Sequence, residues 1–225
     1  MKTNRTLIQN ATIINDNKRF IGSVVIENNF IAEVLNYEQI PSQPCDQVID
    51  AAGLFLLPGV IDTHVHFRDP GMTQKADFYT ESAAAVAGGV TSICDMPNTL
   101  PQTTTLEALD EKFVLMGERS LVNYSCYFGA TNTNYKLFQA LEGKPICGIK
   151  VFMGASTGNM LVDRRRTLEE IFNGTDFLIA THCENNDEVN KNRKFYLEQE
   201  NQTDDLPLSF HPLIRSEEAC FQSTA

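Results

Sequence analysis

Leu54-Phe55-Leu56-Leu57-Pro58-Gly59-Val60-Ile61-Asp62-Thr63-His64-Val65-His66 is a largely apolar run that ends in two histidines, and Phe67-Arg68-Asp69-Pro70-Gly71 follows it as a turn. A near-continuous apolar run of this kind is what a strand buried on both faces requires, so it predicts a parallel sheet. Working outward, similar runs occur at Val90–Met96, Val122–Phe128, Ile146–Met153 and Phe177–Cys183. Helical patterns lie between them. Gln74–Ala87 carries Phe78, Ser82, Ala85 and Val86 on one face and stops at Gly88-Gly89, and Thr167-Leu168-Glu169-Glu170 reads as a capping box. Alternating strands and helices imply right-handed crossovers between parallel strands. Five such units occupy Leu54 to about Glu200, whereas a complete (β/α)8 barrel needs roughly 250 residues. The predicted fold is therefore α/β, a TIM-type (β/α)8 barrel of which the first five units are present. A smaller, complete open sheet is the alternative. On the barrel reading Ser216-Glu217-Glu218-Ala219 begins a helix cut short by Ala225, and the chain is expected to be a truncated one. Its unpaired strand edges would leave it poorly folded and inactive alone.

Before the first histidine run the rhythm differs. Thr6–Ile8, Ala11–Ile14, Ser23–Ile26 and Phe30–Val34 are short β-rich runs, separated by Asn15-Asp16-Asn17 and Glu27-Asn28-Asn29. They predict a small antiparallel sheet, followed by a connector punctuated by Pro41 and Pro44. The expected organisation is residues 1–53 as an N-terminal β segment and 54–225 as the incomplete barrel.

The 225 residues are 42% hydrophobic and 21% charged, with a net charge of -11 and a pI near 4.8. So acidic a chain does not attract polyanions, which argues against nucleic acid or an anionic membrane as partner. An acidic substrate would need local positive charge, from a metal or a placed arginine. The six cysteines form no CxxC pair, and no signal peptide or membrane-spanning run is legible. These features predict a soluble, cytoplasmic protein acting on a small molecule, with homo-oligomer formation left open.

On a strand, positions i and i+2 share a face, so His64 and His66 project together from a C-terminal strand end, where barrel active sites are built. Two neighbouring neutral imidazoles suit a divalent metal, although a chance pair of loop histidines would have the same spacing. Asp62 shares their parity and could orient a ring. Arg68 continues the same face; it could grip a substrate carboxylate or pair with Asp69 or Glu81. Lys150 interrupts the apolar run Cys147–Met153. Burial would lower its pKa and let the amine take up carbon dioxide as a carbamate, or its head could snorkel to solvent. His182 closes the last strand run and is either a ligand or structural. Asn98 could bind substrate or make a turn, Cys183 reads as a packed thiol, and His211 reads as a helix start.

Five segments together, His64–Gly71, Ala84–Thr91, Met96–Thr99, Lys150–Gly154 and Thr181–Glu184, resemble the dihydroorotase branch of the amidohydrolase superfamily in order and spacing. The resemblance implies two zinc ions. His64 and His66 would bind the first, carboxylated Lys150 would bridge both, and His182 would bind the second. Arg68 and Asn98 would hold the substrate carboxylate, and the N-terminal segment would belong to a composite β-sandwich. The implied reaction is reversible cyclisation of N-carbamoyl-L-aspartate to L-dihydroorotate, by a metal-bridging hydroxide, in pyrimidine synthesis. The family supplies a further metal-binding histidine on its sixth strand and a catalytic aspartate after its eighth. Neither has a counterpart up to Ala225, so no catalytic acid or base is identified. Allantoinase and dihydropyrimidinase/hydantoinase share the scheme and are the nearest alternatives. A non-catalytic, amidohydrolase-like scaffold is the alternative of another class.

Overall fold

The computed structural model describes residues 4–154, 158–221 and 223. The chain divides into two compact units, Met1–Gly59 and Val60–Ala225.

In the first unit, β1 (Arg5–Asn15), β2 (Lys18–Glu27) and β3 (Phe30–Asn36) form antiparallel hairpins. Asp16 and Asn17 both take positive φ, the conformation a two-residue hairpin turn demands and Asn and Asp tolerate. The two runs expected at Thr6–Ile8 and Ala11–Ile14 are one strand, interrupted by a register shift between Ile8 and Ala11 where Asn10 has φ 62°. The sheet is mixed rather than antiparallel. β4 (Gln47–Asp50) and β5 (Phe55–Leu56) lie parallel to β1, because the Pro41–Pro44 connector carries the chain back before it pairs. Ala11, Ile13, Val24 and Ala51 form this unit's buried cluster.

The run Leu54–His66 is therefore not a single strand. Its first part pairs with β1, Pro58 and Gly59 interrupt it, and β6 (Val60–Val65) opens the second unit. Pro58 has no N–H to give to a ladder, which is the local reason for the break. The division between units thus falls after Gly59 rather than after residue 53.

The second unit alternates α1 (Phe78–Ala87), β7 (Val90–Asp95), α2 (Leu106–Arg119), β8 (Asn123–Gly129), a 3-10 segment (Tyr135–Leu141), β9 (Gly148–Phe152), α3 (Arg165–Asn173), β10 (Ile179–His182) and α4 (Asn186–Gln199). Short helices α5 (His211–Ile214) and α6 (Glu217–Phe221) follow. All five strands are parallel, in the unbroken order β6-β7-β8-β9-β10. A doubly wound sheet reverses its order at a switch point; this one never does, which is the order of barrel strands. α1 begins later than expected, at Phe78, where the Asp77 carboxylate accepts the Thr80 N–H at 2.8 Å. Thr167 is not a cap. It lies inside α3, which starts at Arg165, and it is buried there.

Phe78, Ile93, Leu109, Met116, Phe128, Phe138, Ile149, Val151 and Ile171 form the core between helices and sheet. Side chains of opposite strand parity face the other side of the sheet, and the histidine pair belongs to that set. Val60 and Ile61 on β6 are 55% and 64% exposed, as apolar residues on a strand with one neighbour are.

Candidate functional site

The site is assembled where β6, β7, β9 and β10 end. His64 lies in β6 and His66 follows it, with ring centroids 5.3 Å apart. Beyond β7, the Met96–Thr99 segment brings Asn98 Oδ1 to 2.8 Å from His66 Nδ1. An oxygen can only accept, so this contact sets Nδ1 as the protonated nitrogen and leaves the Nε2 lone pair free. Burial lowers the His66 pKa, against the raising effect of the Asn98 bond; the Arg68 and His64 charges lower it further. His64 is lowered too, first by desolvation and then by the charge of Lys150, with His182 acting in the same sense and Asp62 opposing. The two imidazoles are thus biased towards the neutral form that a metal needs.

The sign of the consequence for stability is definite. Between the depressed folded values and the ordinary imidazole value of about 6.5, the unfolded chain binds more protons than the folded one, so stability climbs with pH through that window. Urea midpoints of the metal-free full-length protein should fall between pH 7 and pH 5. Replacing both histidines by Gln should flatten that slope.

Lys150, on β9 beside Ala180 of β10, is 1% exposed and makes no ion pair among the described residues. Its ammonium stands 4.9 Å from the Phe152 ring centroid, and desolvation lowers its pKa, opposed by Cys183. It does not snorkel. A buried amine with depressed basicity is the reactive form of lysine.

His182 ends β10. Its Nε2 lies 2.9 Å from Glu184 Oε2, and Glu184 is also paired with Arg215. Burial by itself would raise the Glu184 pKa, but the hydrogen bonds from Arg215 and His182 outweigh it and the net direction is down. Fixing Nε2 in this way directs His182 to offer Nδ1 elsewhere. Arg215 was not singled out in the sequence, and Glu184 entered there only as the end of the Thr181–Glu184 segment, with no role given to it.

Arg68 forms no ion pair among the described residues. Asp69, its nearest acidic neighbour in sequence, is 2% exposed and pairs instead with Arg119 at 2.7 Å. Asp62 orients no ring; its Oδ1 accepts the His64 backbone N–H at 3.1 Å. Gly71 explains how the loop after His66 meets the next one: it has φ +83°, and a Cβ there would lie 2.0 Å from the Leu100 carbonyl oxygen. Cys183 donates to Thr181 Oγ1, and His211 opens α5.

Among the described residues, no group of three or more His, Cys, Asp or Glu side chains could hold a metal ion. The donor chemistry nevertheless fits one: two neutral imidazoles side by side, with a buried, unpaired lysine close enough for its charge to act on His64. A carbamate on that lysine would add the oxygen donors that these side chains lack.

Residues 55–205 match the model of the Amidohydrolase family. The chain is 37% identical over 163 residues to a protein named dihydroorotase from Methanosarcina acetivorans, covering 72% of this chain and 34% of that one. It is 36% identical over 182 residues to another of that name from Methanosphaera stadtmanae, covering 80% and 40%. The chain thus spans about a third to two fifths of the length of these curated relatives. Among solved structures it is similar to an L-hydantoinase (dihydropyrimidinase) from Arthrobacter aurescens, with TM-score 0.86 and 24% identity, covering 97% of this chain and 48% of that one. A dihydropyrimidinase from Brevibacillus agri gives TM-score 0.74 and 26% identity over 98% and 48%.

Proposed function

The chain belongs to the amidohydrolase family, and we propose that it is part of a dihydroorotase, a zinc-dependent enzyme that interconverts N-carbamoyl-L-aspartate and L-dihydroorotate. The observation that carries this reading is the conjunction of the His64–His66 pair with Lys150, a 1% exposed lysine that forms no ion pair among the described residues. In it, His64, His66 and His182 would hold the zinc ions together with a carbamate on Lys150, which would supply the oxygen donors that the imidazoles lack. The carbamate forms when the neutral Lys150 amine adds to carbon dioxide and releases a proton. Two such cations, when bound, lower the pKa of water and polarise the amide carbonyl under attack.

The chain's own residues supply binding and orientation. Asn98 holds the His66 ring by Nδ1, and Glu184 does the same for His182 through Nε2. Arg68, which forms no ion pair among the described residues and is close enough for its charge to act on His66, would take the substrate carboxylate bidentately. Asn98 would reach the same carboxylate through its amide N–H groups while its oxygen remains on His66. In the hydrolytic direction water adds to the ring carbonyl, the C–N bond breaks, and the ring nitrogen takes the proton. No described side chain is assigned that proton transfer.

A second reading, a hydantoinase or dihydropyrimidinase, is favoured by the fold likeness to those enzymes. The names of the curated relatives and the unpaired Arg68 favour an acidic substrate instead. No helix among the described residues is long and apolar enough to cross a membrane, and the described cysteines are free; a cytoplasmic site of action belongs to the same proposal. The test is turnover by the full-length protein of L-dihydroorotate against dihydrouracil, hydantoin and allantoin. Selective opening of dihydroorotate is the expected result. Preference for an uncharged ring would sink the substrate assignment, and no turnover of any would favour a scaffold.

A further inference from the structure

Asp95 ends β7 and Lys112 lies on α2, and both side chains are 0% exposed, with Lys112 Nζ 2.6 Å from Asp95 Oδ2. Asp95 shares the parity of Ile93, which packs in the core under the helices, so the pair sits on the helix side of the sheet, away from the histidine rings. It touches neither substrate nor metal in the proposed scheme. Burying two charges gains little over apolar packing of the same volume, so their presence calls for a geometric reason.

The remaining bonds supply one. Asp95 Oδ1 accepts the Phe67 N–H at 2.8 Å, which fixes the peptide immediately after His66. Lys112 Nζ donates to the Met96 carbonyl at 2.8 Å, which fixes the peptide that leads into Pro97-Asn98. Met96 N–H in turn donates to Val65 O at 2.9 Å. The two anchored segments carry the partners of the His66–Asn98 contact. We infer that Asp95 and Lys112 are positioning residues, a buried ionic clamp that holds the His66 and Asn98 segments in register so that His66 keeps Nδ1 protonated and presents Nε2 to a cation. The inference deepens the proposed metal site and rests on that reading for its final step.

Lys112→Met alone would strand the Asp95 charge in the core and is expected to unfold the chain. Lys112→Met/Asp95→Asn removes both charges, keeps a side-chain oxygen at position 95, and is the variant to measure. Two readouts apply to the full-length protein: imidazole nitrogen-15 shifts without metal near pH 8.5, above the ordinary imidazole range of about 6.5, and the affinity for cobalt(II) alone. The wild type should show His66 as a single Nδ1–H tautomer. The double variant should keep native circular dichroism, average the His66 tautomers while leaving His182 unchanged, and bind cobalt about 10–100-fold more weakly, the range typical of lost outer-shell support. A folded double variant with an unchanged His66 spectrum and unchanged cobalt affinity would overturn the clamp, and so would a wild-type His66 that is not Nδ1-protonated. If the wild type binds no cobalt at all, the metal reading fails, while the imidazole spectra still decide the positioning.

Discussion

Lys150→Met in the full-length protein is expected to lower dihydroorotate turnover by about 10²–10³-fold or more, without loss of stability in the metal-free form. The rate expectation follows from removing the group proposed to carry the carbamate; loss of a single preorganised stabiliser of transition-state charge is felt on that scale. The stability expectation runs the other way. Lys150 is 1% exposed with no ion pair among the described residues, so in the metal-free protein its desolvation is a cost that the Phe152 ring 4.9 Å away offsets in part and an apolar chain of similar length relieves. Steady-state rates and urea midpoints measured on the same preparations separate the two effects. A variant that unfolds would assign Lys150 to structure, and one that turns over normally would remove it from the site.

The second large effect concerns Arg68. Arg68→Ala should raise KM for L-dihydroorotate by roughly 10²-fold, the scale of a lost hydrogen-bonded charge contact of about 2–3 kcal/mol. Hydrolysis of dihydrouracil, which has no carboxylate, should change little. Because Asp69 is engaged with Arg119, the substitution breaks no ion pair among the described residues, and alanine inherits the same strained φ of 63°. Equal losses on charged and uncharged rings would mean that Arg68 shapes the loop rather than binding the substrate.

The two effects rest on residues that were legible in different ways. The histidine pair and the lysine stood out because strand parity and an otherwise apolar run leave few readings for a polar side chain. The parallel barrel order was legible for the same reason, since apolar runs recur at βα spacing and the strands pair in chain order. What the sequence concealed depends on contacts distant in the chain. The Leu54–His66 run hides a change of sheet at Pro58-Gly59, because apolar periodicity is blind to which partner a strand finds. Thr167 looked like a cap, but tertiary packing started α3 two residues earlier and buried it. Glu184 is held both by His182 and by Arg215, which comes from beyond α4, and that second contact has no trace in the local sequence. Lys112 was findable in principle, since it falls on the buried face between Leu109 and Met116, but its role needs Asp95 from another element.

Zinc binding by the purified full-length protein, compared with its His64→Gln/His66→Gln variant, tests the central claim most directly. Equilibrium dialysis of the metal-free proteins at pH 8 in bicarbonate buffer should show tight binding of at least one zinc ion to the wild type and its loss in the variant, with both proteins equally folded. A wild type that takes up no zinc, or a variant that takes up as much, would contradict the assignment of the β6 histidine pair as the start of a metal site.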